Sequence, residues 1–176
     1  QEIISMKNAL EKFSIKKINK TAAQFNMEKL KWVNAQYIKV ADTAMLTGLL
    51  VPILREEGLL AVTFDQVWLE QVVALFKSRM STLRDFIERA GFLFMKDFVL
   101  PEEAQAELKK TDMSKPFALL ANRLEALGVF DVSSTDKAFR DLVGELGLKT
   151  GDLVHPVRVA LSGSNVGPGL FETMVV

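Results

Sequence analysis

The sequence predicts an all-α fold, and three observations support this prediction. Apolar residues recur at steps of three and four along most of the chain, residues typical of helix starts and stops separate these stretches, and no stretch clearly alternates over the length of a strand. The one ambiguous stretch is Phe92-Leu93-Phe94. The chain has 176 residues, of which 49% are hydrophobic, and a chain of this size buries roughly 70% of its unfolded surface. It is therefore long enough for one domain or for two small ones.

The first half of the chain contains three predicted helices. Asn26 is a favoured N-cap residue, and apolar residues follow it at helical spacing as far as Lys39. A second helix is predicted over residues 41–57; Gly58 marks its end, and Pro52 predicts a kink or a split inside it. The third helix is indicated by an apolar stripe that consists of Phe64, Trp68, Val72, Leu75 and Phe76.

Cap residues mark the helices that follow. Thr82 and Asp85 have the spacing of a capping box and open a short helix that ends at Ala90. Pro101 is followed by two glutamates, which is the pattern of a helix start with acidic residues in its first turn. Further N-caps are predicted at Ser114 and Ser133, and helix ends are predicted at Gly128 and Gly147.

The composition of the chain shifts between Asp97 and Pro101, which is the best candidate for a boundary inside the chain. We therefore expect helical subdomain 1 over residues 1–97 and helical subdomain 2 over residues 98–176. The chain begins with Gln1 rather than methionine, and its last residues lie within a helical pattern. For this reason we also expect it to be a piece of a longer protein.

The inventory of reactive residues excludes several classes of chemistry. The chain has no cysteine and one histidine, so thiolate catalysis, disulfides and histidine-based metal sites are excluded. His155 precedes Pro156, and a surface or N-cap position is a simpler interpretation than a role as general base. The phosphate-cradling and nucleophile motifs of common enzymes are missing, and no apolar run is long enough to span a bilayer.

Charge is distributed unevenly, although the formal net charge is zero. Residues 1–31 contain seven lysines and three glutamates, and residues 77–96 contain five basic and two acidic residues. Residues 97–112 contain five acidic and two basic residues. Solvated helix faces are the simpler interpretation of any single charged run. An RNA site in this chain would have to arise from such a local excess of positive charge.

Arg79 lies three residues after Phe76 and four after Leu75, so it continues the apolar face of the third predicted helix. Two interpretations are open. A basic residue in the last turn of a helix is favoured by the helix dipole while its stem packs on the core, and position alone favours this interpretation. The other interpretation is a guanidinium held at the rim of a binding site.

The closing segment His155–Phe171 is rich in proline, glycine and small polar residues. Pro156 is expected to open a short helix, Gly163 to end it, and Pro168 to open the next. The loop between these helices would let a ligand approach the backbone closely, and Arg158 on the preceding helix lies beside it. A plain connection between two helices fits the composition equally well.

Three motifs in this order along the chain resemble glutamyl-tRNA synthetase of the bacterial type. Residues 19–38 resemble the stretch that follows the family's catalytic signature loop, with mild departures at Thr21, Ala22 and Asn26. Residues 79–83, Arg-Met-Ser-Thr-Leu, are similar to the family's Arg-x-x-Thr-Leu. Residues 156–163 and 168–172 match Pro-apolar-Arg-apolar-Ala-Leu-(Ser/Thr)-Gly and Pro-Gly-Leu-Phe-Glu of its anticodon-binding region. Together the motifs cover nearly the whole chain.

The resemblance implies a two-part helical cage that recognises the anticodon of tRNA(Glu) within a glutamate–tRNA ligase, which attaches glutamate to this tRNA using ATP. The family's catalytic domain, which uses ATP and Mg²⁺, is expected upstream. This chain is therefore expected to hold no cofactor and to be inactive as a ligase by itself. The implied partners are tRNA(Glu) and that catalytic domain rather than DNA or a membrane, and the implied location is cytoplasmic.

The resemblance also assigns residues to the RNA. The arginine that matches Arg79 meets the third anticodon base. The pocket for the other anticodon bases is implied to be lined by Arg158, Gly167, Pro168 and Leu170, with Gly167 offering backbone atoms only. Contacts with the tRNA stem are implied for Lys20, Lys29, Trp32 and Asn34.

A second hypothesis from the sequence is a helical protein-interaction scaffold that does not bind RNA. The neutral net charge and the apolar stripes along the helices support it. The two hypotheses differ in whether Arg79 and Arg158, which are far apart in sequence, converge on one groove.

Overall fold

The computed structural model describes residues 3–18, 22 and 24–176, and every regular element in these residues is helical. The prediction of an all-α fold is therefore confirmed. The α-helices are α1 (Met6–Lys12), α2 (Met27–Val40), α3 (Thr43–Glu56), α4 (Gln66–Phe76), α5 (Arg84–Ala90), α6 (Glu102–Leu108), α7 (Ser114–Glu125), α8 (Val132–Leu146), α9 (Thr150–Ser162) and α10 (Leu170–Val175). Three 3₁₀ turns lie at Ile15–Lys17, Lys77–Arg79 and Gly91–Phe94.

The predicted caps of α2 and α3 show how local side chains begin a helix. The side-chain oxygen of Asn26 accepts the Lys29 backbone N–H at 2.9 Å, as an N-cap requires. α3 begins after Asp42 and continues through Pro52 without a break. Pro52 is exposed, whereas Leu50 and Leu54 are fully buried, so the packed face keeps the helix continuous.

Four helix starts, those of α7, α8, α9 and α10, differ from their predicted positions. α7 begins at Ser114 rather than after it, α8 begins after Asp131 rather than after Ser133, and α10 begins at Leu170, two residues after Pro168. The carboxylate of Asp131 accepts the Ser134 N–H at 2.7 Å, and the Ser134 hydroxyl accepts the Asp131 N–H at 3.0 Å. This capping box places the start of α8 two residues earlier, because a carboxylate is a stronger acceptor than a hydroxyl.

α9 begins at Thr150, so Pro156 lies inside this helix and does not open it. Leu153 and Val157 are buried on the same face, on either side of Pro156 along the chain, and their packing maintains the helical period across the missing N–H. His155 is exposed on α9, which confirms the prediction of a surface position and excludes the N-cap position.

Two apolar cores organise the chain. The first lies mainly between α3, α4 and α5, and the second between α7, α8, α9 and α10. Edge-to-face aromatic pairs tighten both cores: the rings of Phe76 and Phe86 are 6.3 Å apart, and those of Phe139 and Phe171 are 5.4 Å apart. The two cores fit a two-part architecture, and the boundary at residues 97 and 98 stays a prediction.

The end of α10 returns to the first core. Val176 packs partly against that core, and its carbonyl accepts the indole N–H of Trp68 at 2.5 Å. Trp68 in turn packs edge-to-face against Phe94 at 5.2 Å. This hydrogen bond joins residues 108 positions apart in sequence. The helix thus starts in the second core, with Leu170, and the residue that follows it packs against the first core.

Gly163 ends α9, as predicted, and fixes the direction of the following loop. Its φ of +70° is left-handed, a conformation that favours glycine. A Cβ atom at this position would lie 2.8 Å from Cδ of Pro101 and 3.1 Å from Cζ of Phe98. The end of α9 therefore lies directly against the segment that connects the two halves.

A network around Asp85 begins α5. The carboxylate accepts the Ser81 N–H at 2.7 Å, and it also accepts the N–H and hydroxyl of Thr82, at 3.3 and 2.5 Å. Partial burial by itself raises the pKa of Asp85, but these hydrogen bonds, led by the Thr82 hydroxyl, outweigh it and hold the pKa below its usual value. The predicted pairing of Thr82 with Asp85 is confirmed.

One further property concerns helix length. Among the described residues, no single helix is both long and apolar enough to cross a membrane; α2 and α3 pass that test only as a pair, and the chain bends by 119° between them.

Replacing Gly163 by alanine is expected to destabilise the fold more than replacing Gly147, which has φ +64° and where a Cβ atom would have no neighbour within 4 Å. A left-handed alanine costs about 1–2 kcal/mol, and forced contact with Pro101 adds roughly 1–3 kcal/mol for Gly163→Ala only. Urea denaturation of both variants measures the difference. Equal losses would contradict the close contact with Pro101.

Asp85→Asn is expected to lower the free energy of unfolding by about 0.5–2 kcal/mol at pH 7. Because the folded pKa of Asp85 is depressed, its stabilisation is complete above the unfolded pKa of about 3.9 and is lost as the pH falls through the folded pKa. The difference between wild type and variant should therefore shrink on acidification. Denaturation between pH 3 and 7 measures it, with the exposed Asp97→Asn as control; a difference independent of pH would contradict the assignment.

Candidate nucleic-acid interface

A cleft lies between the two halves of the chain. The end of α4, α5 and the following 3₁₀ turn contribute Phe76, Arg89 and Phe92 to one side. The other side consists of α9, the loop over residues 163–169 and the start of α10, with Arg158 as its charged side chain. The cleft therefore combines apolar side chains with the positive charge of two arginines and the carboxylate of Glu88.

Arg158 is the best-positioned cation in this cleft. It is half-buried on α9, and its guanidinium donates a hydrogen bond to the carbonyl of Pro168 at 2.5 Å. Burial lowers the pKa of Arg158, the positive charge of Arg79 lowers it further, and Glu172 partly opposes both effects. The guanidinium stays charged at neutral pH, because an arginine pKa lies far above 7.

Gly167 and Gly169 allow side chains to approach the loop closely. A Cβ atom on Gly167 would lie 3.2 Å from the guanidinium of Arg158. At Gly169 a Cβ atom would overlap the carboxylate of Glu172, which folds back over the start of α10. The loop backbone is thus closely covered by one cationic and one anionic side chain.

Serine hydroxyls hold the loop in shape. The hydroxyl of Ser162 donates to the carbonyl of Arg158 or Ser164, at 2.9 and 3.2 Å. The hydroxyl of Ser164 accepts the Val166 N–H at 3.1 Å and also lies 3.1 Å from the Val166 carbonyl. Pro168 and Leu170 are buried, and Leu170 belongs to the second core. Of the residues expected in the pocket, Leu170 is therefore also a core residue.

Arg79 lies on the 3₁₀ turn that follows α4, because α4 ends at Phe76. Its side chain is exposed, and its guanidinium donates to the Ser78 hydroxyl at 3.2 Å. It does not line the cleft, but its charge acts on Arg158 from the other half of the chain. The structure thus brings Arg79 and Arg158 into electrostatic range of each other, and it leaves the Arg79 side chain outside the core.

Three of the residues expected to contact the tRNA stem, Lys29, Trp32 and Asn34, lie on α2 and do not line this cleft. Lys29 and Trp32 are exposed. Asn34 is exposed as well, but its amide nitrogen donates to the carbonyl of Ser81 at 2.6 Å. Lys20 lies outside the described residues. The structure therefore connects one member of this set, Asn34, to the segment that carries Arg79.

Two charged residues of the cleft, Glu88 and Arg89, were missed by sequence reasoning. Both are exposed on α5 and line the cleft. The excess of basic residues over 77–96 was the available signal, but it did not single out Arg89. The helical spacing of apolar residues predicts which face of α5 is buried. It does not predict that the polar face of α5 lies opposite α9, because that depends on how the two halves pack together.

The arginines at and near the cleft can be compared with two cations on α8. On α8, Lys137 and Arg140 each pair with an aspartate one turn away. Within the described part of the chain, no carboxylate lies within 4.0 Å of the charged nitrogens of Arg79, Arg89 or Arg158. Arg89 and Arg158 thus line the cleft without an ion-pair partner, and their positive charge favours an anion there, although the carboxylates of Glu88 and Glu172 are nearby.

Comparison with known proteins agrees with this geometry. A family model described as anticodon binding domain matches residues 45–176, which is more than half of the chain. The chain is 37% identical over 179 residues to a glutamate–tRNA ligase of Geotalea uraniireducens (strain Rf4), and 36% identical over 174 residues to that of Geobacter sulfurreducens. These alignments cover 100% and 99% of this chain, and 37% of each relative.

Two solved structures have a similar fold. One is the crystal structure of a glutamate tRNA ligase from Elizabethkingia meningosepticum CCUG26117 in complex with its amino acid, with a TM-score of 0.83, 24% identity, and coverage of 99% of this chain and 34% of that one. The other is glutamate-tRNA synthetase from Elizabethkingia anophelis, with a TM-score of 0.81, 25% identity and coverage of 99% and 33%.

The chain spans just over a third of the length of the curated relatives that it matches. The family model covers the cleft completely, since its match extends from α3 to the last residue. The chain therefore belongs to the anticodon binding domain family.

Proposed function

We propose that this chain recognises the anticodon of tRNA(Glu) as the anticodon-binding part of a glutamate–tRNA ligase, which attaches glutamate to tRNA(Glu) using ATP. The observation that carries the proposal is a cleft between the two halves of the chain that is lined by one arginine from each half, Arg89 and Arg158. Arg158 lines the cleft, and the charge of Arg79 reaches it. Membership of the family and the similarity to glutamate–tRNA ligases support the same function.

The proposed role of Arg79 is to select the third anticodon base. Single-stranded RNA is recognised on the Watson–Crick edges of unstacked bases. Cytosine presents the acceptors O2 and N3 side by side on this edge, which suits the planar fork of a guanidinium. Guanine presents the donors N1–H and N2–H there, which repel the donors of arginine. Arg79 is exposed and has no carboxylate partner within the described residues, so its fork is available to cytosine.

The proposed pocket for the other anticodon bases is formed by Arg158 and the loop that it holds. The bond from Arg158 to Pro168 fixes the guanidinium beside the loop and leaves its remaining donors for RNA. Gly167 contributes backbone atoms, and Pro168 and Leu170 give the loop a rigid, buried base. A site that is held in shape before binding loses less conformational entropy when the RNA binds.

Contacts with the tRNA stem are proposed for three residues of α2, Lys29, Trp32 and Asn34, and for Lys20. Lys29 and Trp32 are exposed, as RNA contacts must be. Asn34 keeps its side-chain oxygen for such a contact, since its amide nitrogen donates to Ser81. Lys20 remains part of the proposal from the sequence resemblance alone.

The proposal gives the chain a second partner, the catalytic domain of the same longer protein. Large apolar side chains are exposed along the first helices, and they suit a protein contact more than a solvated surface. The most exposed of them are Met6, Leu10, Phe13, Ile15, Phe25 and Val40. ATP and Mg²⁺ belong to that domain in this proposal, and the described residues contain no group of three metal-binding side chains. The longer protein would act in the cytoplasm, where translation takes place.

Arg79→Ala and Arg158→Ala are each expected to weaken binding of a tRNA(Glu) anticodon stem-loop by about 1–3 kcal/mol, which is about 5- to 150-fold. The reason is that each removes a charge-assisted contact with RNA. Fluorescence anisotropy at two salt concentrations measures the affinity, which should fall as salt rises because phosphate contacts release counterions.

Arg140→Ala is the matched control, since it removes an arginine that lies on α8 and pairs with Asp136. It should leave the affinity unchanged. If Arg79→Ala and Arg158→Ala bind as well as wild type, or if wild type does not bind at low salt, the anticodon proposal is wrong. A salt-insensitive protein partner that RNA does not displace would instead favour the scaffold hypothesis.

Arg79→Gln is expected to abolish most of the preference for C over G at the third anticodon position. Glutamine has one amide in place of the guanidinium fork, and it accepts as well as donates, so it fits guanine better. Arg79→Lys should keep part of the affinity through its charge and lose the preference as well. Competition between stem-loops that differ only at this base measures the preference, and an equal preference in wild type and Arg79→Gln would refute the role of Arg79.

A further inference from the structure

The 3₁₀ turn Lys77–Arg79 is held from three directions, although Arg79 itself is exposed. The residues on both sides of Arg79 have their polar groups or side chains bound to other elements. These contacts come from α2, from the junction between α2 and α3, and from the first core.

On the carboxyl side of Arg79, Asn34 on α2 donates its amide N–H to the carbonyl of Ser81 at 2.6 Å. The two residues are 47 positions apart, so this is a tertiary contact and not a local turn. Ser81 is only two residues from Arg79. A movement of this carbonyl away from α2 would therefore move the backbone of Arg79 with it.

On the amino side, the ammonium of Lys77 donates to the carbonyl of Ala41 at 3.1 Å and lies 3.2 Å from the hydroxyl of Thr43. Ala41 is the residue that follows α2, and Thr43 is the first residue of α3. Lys77 is half-buried, and its ammonium contacts the junction between α2 and α3 rather than solvent alone. One end of the turn is thus bound to the C-terminal end of α2.

Between these two contacts, Met80 is 1% exposed and belongs to the first core. Its side chain fixes the distance between the turn and the core, but a single buried side chain leaves the backbone free to rotate about it. The bonds from Asn34 and Lys77 remove this freedom, because they contact the chain on opposite sides of Met80 and both lead to the same helix.

We propose that Asn34 and Lys77 are positioning residues for Arg79: they bind the Arg79 turn to α2, so that the choice of the third anticodon base depends on side chains that do not touch that base. This inference rests on the proposed function. A guanidinium fork has to be held within roughly 0.5 Å of its productive position, and an exposed turn without these bonds would not meet this limit. α2 then connects the proposed stem-contact surface to base selection.

The test compares Asn34→Ala and Lys77→Met with wild type, using the whole chain and stem-loops that end in C or in G. Each variant is expected to lower the ratio of the affinities for the C and the G stem-loop by about two- to tenfold, the contribution of one hydrogen bond. A contact of Asn34 with the stem would weaken both stem-loops equally, so it cancels in this ratio. Lys77→Arg should restore wild-type binding, because a guanidinium donates to the same oxygens. Lys39→Met is the control: Lys39 is exposed on α2 and lies about 140° around the helix from Asn34.

A double-mutant cycle separates positioning from direct contact with RNA. In an Arg79→Gln background, Asn34→Ala should not change the ratio of the two affinities further, because Asn34 acts on base preference through Arg79. If Asn34→Ala leaves the ratio of the two affinities unchanged, or changes it as much in the Arg79→Gln background as in wild type, Asn34 does not act through Arg79 and the inference is overturned.

Hydrogen exchange without RNA distinguishes failure of this inference from failure of the proposed function. The backbone amides of residues 78–82 should exchange faster in Asn34→Ala and Lys77→Met than in wild type and Lys39→Met. Unchanged exchange overturns the inference even if the chain binds RNA. If Arg79→Gln has no effect on base preference, the proposed function of Arg79 fails and the positioning role falls with it, even where the exchange data show that the turn is anchored.

Discussion

The position of the loop over residues 163–169 against the first half of the chain is the constraint on which the cleft depends. Gly163 brings the end of α9 against Phe98 and Pro101, where no side chain fits. Directly after α10, which follows this loop, the carbonyl of Val176 accepts the indole N–H of Trp68. These two contacts set how the second half lies on the first, and without them Arg158 would have no defined relation to Phe76 and Phe92 across the cleft.

The same arrangement explains the charge of the site. Surface cations on α8 have carboxylates one turn away, so their fields are largely cancelled. Burial lowers the pKa of Arg158, and repulsion by the positive charge of Arg79, which comes from the other half of the chain, lowers it further. The two positive charges together create a local positive potential, which favours a polyanion. A protein with a formal net charge of zero can thereby attract RNA at one part of its surface.

Glycine and hydrogen-bonded polar groups keep this region rigid. Gly167 leaves room for the guanidinium of Arg158, and Ser162 and Ser164 satisfy the polar groups of the loop. On the other side, Asn34 and Lys77 hold the turn that carries Arg79. These bonds join exposed or half-buried groups, whose single contributions to stability are modest, so their combined effect is to limit motion rather than to supply most of the stability.

The sequence by itself determined the helical class, the N-cap at Asn26 and the helix ends at Gly147 and Gly163, because these depend on contacts within a few residues. It misplaced the start of α9, since the packing of Leu153 and Val157 outweighs the signal of Pro156. Only the tertiary structure decided that Arg79 and Arg158 approach each other, that Arg89 lines the cleft, and that Asn34 holds Ser81. The physical reason is that these contacts join residues many turns apart, and no local period or cap specifies which faces meet.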